Sequence, residues 1–329
     1  MNPQRSRRRS TASCLFVSTV ATGLAATLAA CSGTGAERHG LGGETTIAPP
    51  ASTAPAATAP SPGDAGSAVA PKPVPGEGDA PLAKPQQIDA AEVAQARQKA
   101  AAQWGLAAAP LVAPPPPAVK PRLTDNPPQV MTGSDVPPVV RRVPTDDKVV
   151  FLTIDDGAEK DPEFSRMLRE LGIPASVFVS DYLVPNYDYF RGLAEQGVAV
   201  NNHTINHRDL RKLGSDGLRH EICDQQDNLE QEIGARPRLF RPPYGEYTHE
   251  TLRVAAECGV EAIPLWNQEV FADHLDYRYA DGRFHPGDII LTHFRGPTEW
   301  HGSMTDMLRR VVREATAQGF AFARLDDYI

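Results

Sequence analysis

Proline sets the first constraint on this chain. Of 31 prolines in 329 residues, 20 lie between Cys31 and Val139, and only ten follow Val139. Proline lacks a backbone donor and fixes φ, so a stretch this rich in it builds neither helix nor sheet ladder. Ala, Thr, Ser and Gly fill most of the rest of that stretch, which leaves little apolar area to bury. Length alone allows two domains. The proline distribution instead predicts one folded domain of about 190 residues, which is enough to bury a sizeable core. The net charge is −8, or −12 once Arg5, Arg7, Arg8 and Arg9 are set aside. Binding to phosphate needs a basic surface, so the charge argues against nucleic acid and against a polybasic membrane patch.

The first 30 residues read as a targeting segment. Arg5 to Arg9 form a positive region, residues 12–30 are mildly apolar, and Leu28-Ala29-Ala30-Cys31 follows. That tetrad resembles the bacterial lipobox, in which the cysteine is lipidated and becomes the new N-terminus. The expected organisation is a lipoprotein signal peptide over 1–30, a disordered Pro/Ala-rich linker over 31–138 and a folded domain over 139–329. A lipid anchor at Cys31 would place that domain on the extracellular face of a bacterial cell membrane. Plain secretion is the alternative. Within the linker, residues 89–106 predict a short helix with few large apolar residues.

From Val139 the pattern changes. Apolar runs at 149–155, 175–180, 198–203, 239–243, 262–266, 289–293 and 320–325 alternate with helix-like segments at 162–171, 187–196, 216–233, 249–258 and 304–318. The last segment carries Met304, Met307, Leu308, Val311, Val312 and Ala315 on one face, and Ser303 with Asp306 forms a capping-box pattern before it. Seven strands alternating with helices predict an α/β fold with a parallel sheet, open or closed into a barrel. Cys223 and Cys258 fall on helices after the third and fourth strands, neighbours on a barrel's outer ring. An oxidising compartment would allow them to pair; two small buried thiols are the alternative.

In parallel α/β folds, ligand sites lie beyond the carboxyl ends of the strands. Polar residues gather at those ends here. The first strand ends Thr153-Ile154-Asp155-Asp156-Gly157. The third ends Asn201-Asn202-His203, with His207 four residues on. The fourth runs into Arg241-Pro242-Pro243-Tyr244-Gly245, and the sixth ends Leu291-Thr292-His293. Histidines at i and i+4 share one face of a helical turn and suit a shared metal. Taken singly, Asp-Asp-Gly is a turn, Arg-Pro-Pro-Tyr a stiff corner and His293 a core histidine. Together they converge on one rim.

The four motifs, in this order, resemble those of the polysaccharide deacetylase family, the carbohydrate esterases that include the nodulation chitooligosaccharide deacetylases. The resemblance runs from about Lys148 to Ile329. It implies a distorted (β/α) barrel of about seven parallel strands. It also implies a metal-dependent hydrolase that removes N-acetyl groups from an extracellular polysaccharide. Asp156, His203 and His207 would hold one divalent metal ion of zinc type, and Asp155 would be the general base, held by Arg241. A backbone N–H near Tyr244 would steady the oxyanion, and His293 would be the general acid. Leu291 and Trp266 would wall the substrate pocket.

One motif departs from the family pattern. The family has an Asp-x-x-Asp-Trp-like element after the fifth strand, whose carboxylate tunes the acid histidine. Here Trp266-Asn267-Gln268-Glu269 follows instead. Glu269, directly after the strand, and Asp273, further along, are the replacement candidates, with Glu269 favoured. A glycan-binding protein that keeps the fold and has lost turnover is the alternative function. The expected partners are an N-acetylated polysaccharide and a membrane reached through Cys31, with the domain acting as a monomer.

Overall fold

The computed structural model describes residues 89–123, 130–133 and 135–329. Helix α1 (Ala90–Gln103) comes first, followed by strands β1 (Val130–Gly133) and β2 (Val136–Val140). The α/β alternation then runs β3 (Val149–Asp156), α2 (Pro162–Leu171), β4 (Ser176–Val179), α3 (Asp188–Glu195), β5 (Ala199–Asn202), α4 (Ser215–Ile233) and α5 (His249–Glu257). After these come β6 (Ile263–Pro264), β7 (Gln268–Val270), β8 (Leu275–Tyr277), β9 (Asp288–His293), α6 (Pro297–Trp300), α7 (Met304–Ala317) and β10 (Ala321–Phe322).

The main sheet has seven strands in the order β5-β4-β3-β9-β7-β8, with β10 paired to β3. Six are parallel, and β8 runs antiparallel to β7. β3 is buried along its whole length, as expected for a strand covered on both faces. A smaller sheet joins β1, β2 and β6. The α/β class with a parallel sheet is as the sequence implies. The expected barrel is not closed. Among the described residues, two isolated bridges, Asn202↔Phe240 and Leu239↔Ala262, span the gap between β5 and β6. Pro237, Pro242 and Pro243 flank that segment and cannot donate to a ladder, so the expected fourth strand is reduced to single bridges.

Two apolar layers fix the orientation. Phe164, Met167 and Leu168 of α2, Phe190 and Leu193 of α3 and the Met307 to Val312 face of α7 pack outside the sheet. Inside it, Phe151, Phe178 and Ile289 meet the C-terminal residues Leu325, Tyr328 and Ile329. Tyr328 packs edge-on against Phe151 at 5.0 Å and donates its hydroxyl to Asp147 Oδ2. The chain terminus thus plugs the end of the sheet where the strands begin, and the end where they finish is left for polar groups.

The folded region begins before Val139. In α1, Ala100 and Ala101 are buried. Arg97 Nε donates to Leu171 O, and Trp104 Nε1 donates to Glu170 Oε2, both at the end of α2. Small alanines let the two helices approach closely, so a segment expected to be marginal is held by two polar anchors. Residues 89–123 of the expected linker therefore pack on the domain. The expected signal segment and Cys31 lie outside the described residues. Among the described residues, no helix is long and apolar enough to cross a membrane.

Candidate active site

Strand register builds the site. Asp155 in β3 lies opposite His293 in β9 and opposite Phe178 in β4. Asp156 then leaves the strand with φ at 80°, and Gly157 follows at 107°. A Cβ on Gly157 would come within 3.1 Å of Phe190 and Val184, so only glycine fits the turn. Thr204, His207 and Tyr244 also adopt positive φ. Such conformations cost about 1–3 kcal/mol each and persist where the surroundings enforce them. Among the described residues, four of the five non-glycine residues in this state belong to this rim.

Asp156, His203 and His207 come together. His207 Nε2 is 3.4 Å and His203 Nε2 is 3.8 Å from Asp156 Oδ1. One ligand atom from each residue lies within 4.8 Å of the others, so the three could hold a metal ion. The Nδ1 atom of His203 is 2.7 Å from Arg241 O. With the proton on Nδ1, Nε2 presents its lone pair to the cluster. Burial drives the pKa of His203 down to about 4. Burial, and then His203 itself, lower that of His207. Burial alone would raise Asp156, but His203, His293, His207 and Arg295 outweigh it and hold the carboxyl below its usual range. Two neutral imidazoles and one carboxylate are the donors a zinc-type ion takes, so the residues fit such an ion.

The histidines do not share a helical turn, contrary to the i, i+4 expectation. Residues 203–207 form a loop with left-handed backbone at Thr204 and His207. Local hydrogen bonds replace the helix. Thr204 N donates to Asn202 Oδ1, and His207 N donates to Thr204 Oγ1. The buried Glu221 of α4 accepts from Asn206 N at 2.8 Å and from Asn206 Nδ2 at 3.1 Å.

Arg241 is fully buried and fixes the other carboxylate. Its Nη1 donates to Asp155 Oδ1 at 2.7 Å, and its Nε donates to Pro264 O. Its guanidinium lies 4.2 Å over the Phe178 ring. Burial raises the Asp155 pKa, and the opposing pull of Arg241 and His293 does not fully offset it. Asp155 Oδ2 lies 3.6 Å from His203 Nε2. Arg241 therefore supports both carboxylate and imidazole, through its side chain and its carbonyl.

His293 Nδ1 is 3.7 Å from Glu269 Oε1. Asp273 is exposed and pairs with its neighbour His274, so of the two replacement candidates Glu269 is the one beside His293. Burial lowers the pKa of His293, against the raising effect of Asp155 and Asp156. Leu291 is buried two residues before His293, on the same strand face. Tyr244 is exposed, with its ring 4.8 Å from that of His207. Trp266 sits beneath this turn; a Cβ on Gly245 would meet its ring at 3.1 Å. Cys223 and Cys258 are joined in a disulfide.

Sequence reasoning missed three residues. Arg295 Nη2 donates to Asp156 Oδ2 at 2.8 Å. Glu221 reads as an ordinary helix residue, and Tyr182 is an exposed aromatic whose ring centroid lies 6.5 Å from that of His207. Arg295 follows His293 by two positions, which was the one available signal.

Comparison with known proteins agrees with this geometry. The family model described as polysaccharide deacetylase matches residues 142–263. That span holds Asp155, Asp156, His203, His207 and Arg241. An uncharacterised protein of Streptomyces coelicolor is 42% identical over 199 residues, covering 60% of this chain and 79% of that protein. A chitooligosaccharide deacetylase of Sinorhizobium fredii is 30% identical over 154 residues, covering 44% of this chain and 71% of that protein. A solved peptidoglycan N-acetylglucosamine deacetylase, bound to a substituted benzamide, is 25% identical with a TM-score of 0.52, over 58% of this chain and 92% of that one. With the relatives covered over more than two thirds of their length and the motifs assembled on one rim, the chain belongs to the polysaccharide deacetylase family.

Proposed function

We propose that this protein is a metal-dependent hydrolase that removes N-acetyl groups from an extracellular glycan, either a cell-wall polymer or a chitin-like oligomer. One observation carries the reading: a buried carboxylate, Asp155, is locked by Arg241, faces the Asp156–His203–His207 cluster and lies in register with His293. Relatives named for deacetylation of chitooligosaccharide and of peptidoglycan N-acetylglucosamine support the substrate class.

Asp156, His203 and His207 would hold one divalent ion, zinc by its donor chemistry. Such an ion, when bound, supplies Lewis acidity and lowers the pKa of a water. Asp155 takes the proton of the attacking water, and its raised pKa brings it closer to neutrality as a base. Arg241 keeps that carboxylate in place. A backbone N–H at the Tyr244 turn donates to the developing oxyanion. His293 gives a proton to the leaving amine, and Glu269 stabilises its charged form. Leu291 walls the acetyl pocket, with Trp266 packed below the rim. A signal peptide and lipid anchor at Cys31 would hold a monomeric domain at the cell surface.

Acetate release from a panel of N-acetylated glycans, with and without a chelator, tests the proposal. Chelator-sensitive release is expected. Binding without release on every glycan would instead identify a glycan-binding protein that has lost turnover.

A further inference from the structure

We infer that Arg295 is a positioning residue for Asp156, holding one carboxylate oxygen so that only the other faces the cluster. The inference rests on the reading of Asp156, His203 and His207 as metal ligands. The two oxygens of Asp156 have separate partners: Oδ1 faces the two imidazoles, and Oδ2 accepts from Arg295 Nη2 at 2.8 Å. The carboxylate is buried, whereas Arg295 reaches it from the half-exposed rim. The second guanidinium nitrogen, Nη1, is taken by Glu299 in α6. The arginine is thus gripped from both sides.

The backbone around Arg295 is fixed to the end of β3. Phe294 N donates to Asp155 O, and Glu159 N donates to Phe294 O, both at 3.0 Å. The next residue is Gly296, where a Cβ would come within 2.4 Å of Glu159 Oε2. The turn that presents Arg295 is therefore packed against the loop that presents Asp156. Asp156 holds a left-handed backbone, which aspartate is among the few non-glycine residues to adopt, and the Arg295 hydrogen bond fixes the direction of its side chain there. The pairing also divides charge: adjacent Asp155 and Asp156 repel, and each has its own arginine, Arg241 and Arg295. Outer partners of this kind orient metal ligands, and losing one typically costs 10–100-fold in metal affinity.

The sign of the effect is diagnostic. By charge alone, a cation beside a dication's ligand weakens binding, so removing it would tighten metal affinity. By positioning, removing it weakens affinity. The test is zinc affinity of the full chain, measured by competition with a chromophoric chelator, for wild type, Arg295→Met and Arg295→Lys. Arg295→Met should bind zinc about tenfold or more weakly. Arg295→Lys, which keeps one charged donor, should recover part of the loss. Because Asp156 is buried, Arg295→Met should lower the metal-free unfolding temperature, so the affinities are compared well below it, on protein shown to be folded. Unchanged or tighter zinc binding in Arg295→Met would overturn the inference while leaving the ligand assignment intact. That outcome includes the case in which Arg295 serves only to meet a charged substrate. Failure of the wild type itself to bind zinc would overturn both.

Discussion

Glu269 Oε1 stands 3.7 Å from His293 Nδ1, and the strand register that places Glu269 opposite Leu291 also places Asp155 opposite His293. The distance exceeds that of a direct hydrogen bond. The relationship is therefore one of proximity between a carboxylate whose pKa burial raises and an imidazole whose pKa burial lowers.

This gives a pH prediction. A nearby anion favours imidazolium and raises its pKa, so removing Glu269 should lower the pKa of His293. If His293 is the acid, activity falls as pH rises through that pKa. Glu269→Gln should shift this alkaline limb to lower pH, whereas Asp273→Asn should leave it in place. An unmoved limb in Glu269→Gln would remove Glu269 from the account.

The loop between the two histidines depends on Glu221. Glu221→Ala leaves the backbone N–H of Asn206 without its acceptor in a partly buried site, at a cost of about 1–3 kcal/mol. The metal affinity should fall along with the stability. Calorimetric unfolding combined with metal titration would check both; loss of stability with unchanged affinity would separate the loop from the cluster.

Helix α7 offers a stability test away from the site. Ser303 donates to Asp306, and together with its backbone N–H holds the Asp306 pKa at about 2. A depressed carboxyl contributes stability that is fully present above its unfolded value near 4 and is lost as pH falls through the folded value. Ser303→Ala should cost about 1 kcal/mol at neutral pH. That difference from wild type should shrink between pH 4 and 2, as followed by denaturant unfolding.

The disulfide joins α4 to the C-terminal end of α5 across 35 residues of sequence. Closing a loop of that length is worth roughly 3–4 kcal/mol in the chain-entropy account. Cys223→Ser with Cys258→Ser should lower unfolding stability by that amount and leave the metal affinity unchanged, because neither cysteine touches the cluster.

What was legible in the sequence follows from how local each signal is. Helix α7 and its cap follow from spacing alone, because Ser303 and Asp306 act within one turn. The rim was legible because three strands and one bridged segment end in polar residues, which is a sum of short signals. The α/β class with a parallel sheet was legible, but the fourth strand of the barrel was not, since Pro242 and Pro243 break the ladder where the apolar run looked continuous. The β7–β8 hairpin was missed because strands such as Gln268–Val270 and Leu275–Tyr277 are too short and too polar to show alternation. Arg295 and Glu221 were illegible for a different reason: each meets its partner across 139 or 15 residues of chain, through packing that no local pattern encodes.

The central claim is that Asp155 acts on water beside a metal it does not itself retain. It is tested most directly by acetate release from an N-acetylated glycan with Asp155→Asn, at a metal content matched to wild type. The account predicts that the metal stays bound while the rate falls by about 10² or more. Release near the wild-type rate at full metal occupancy would contradict it.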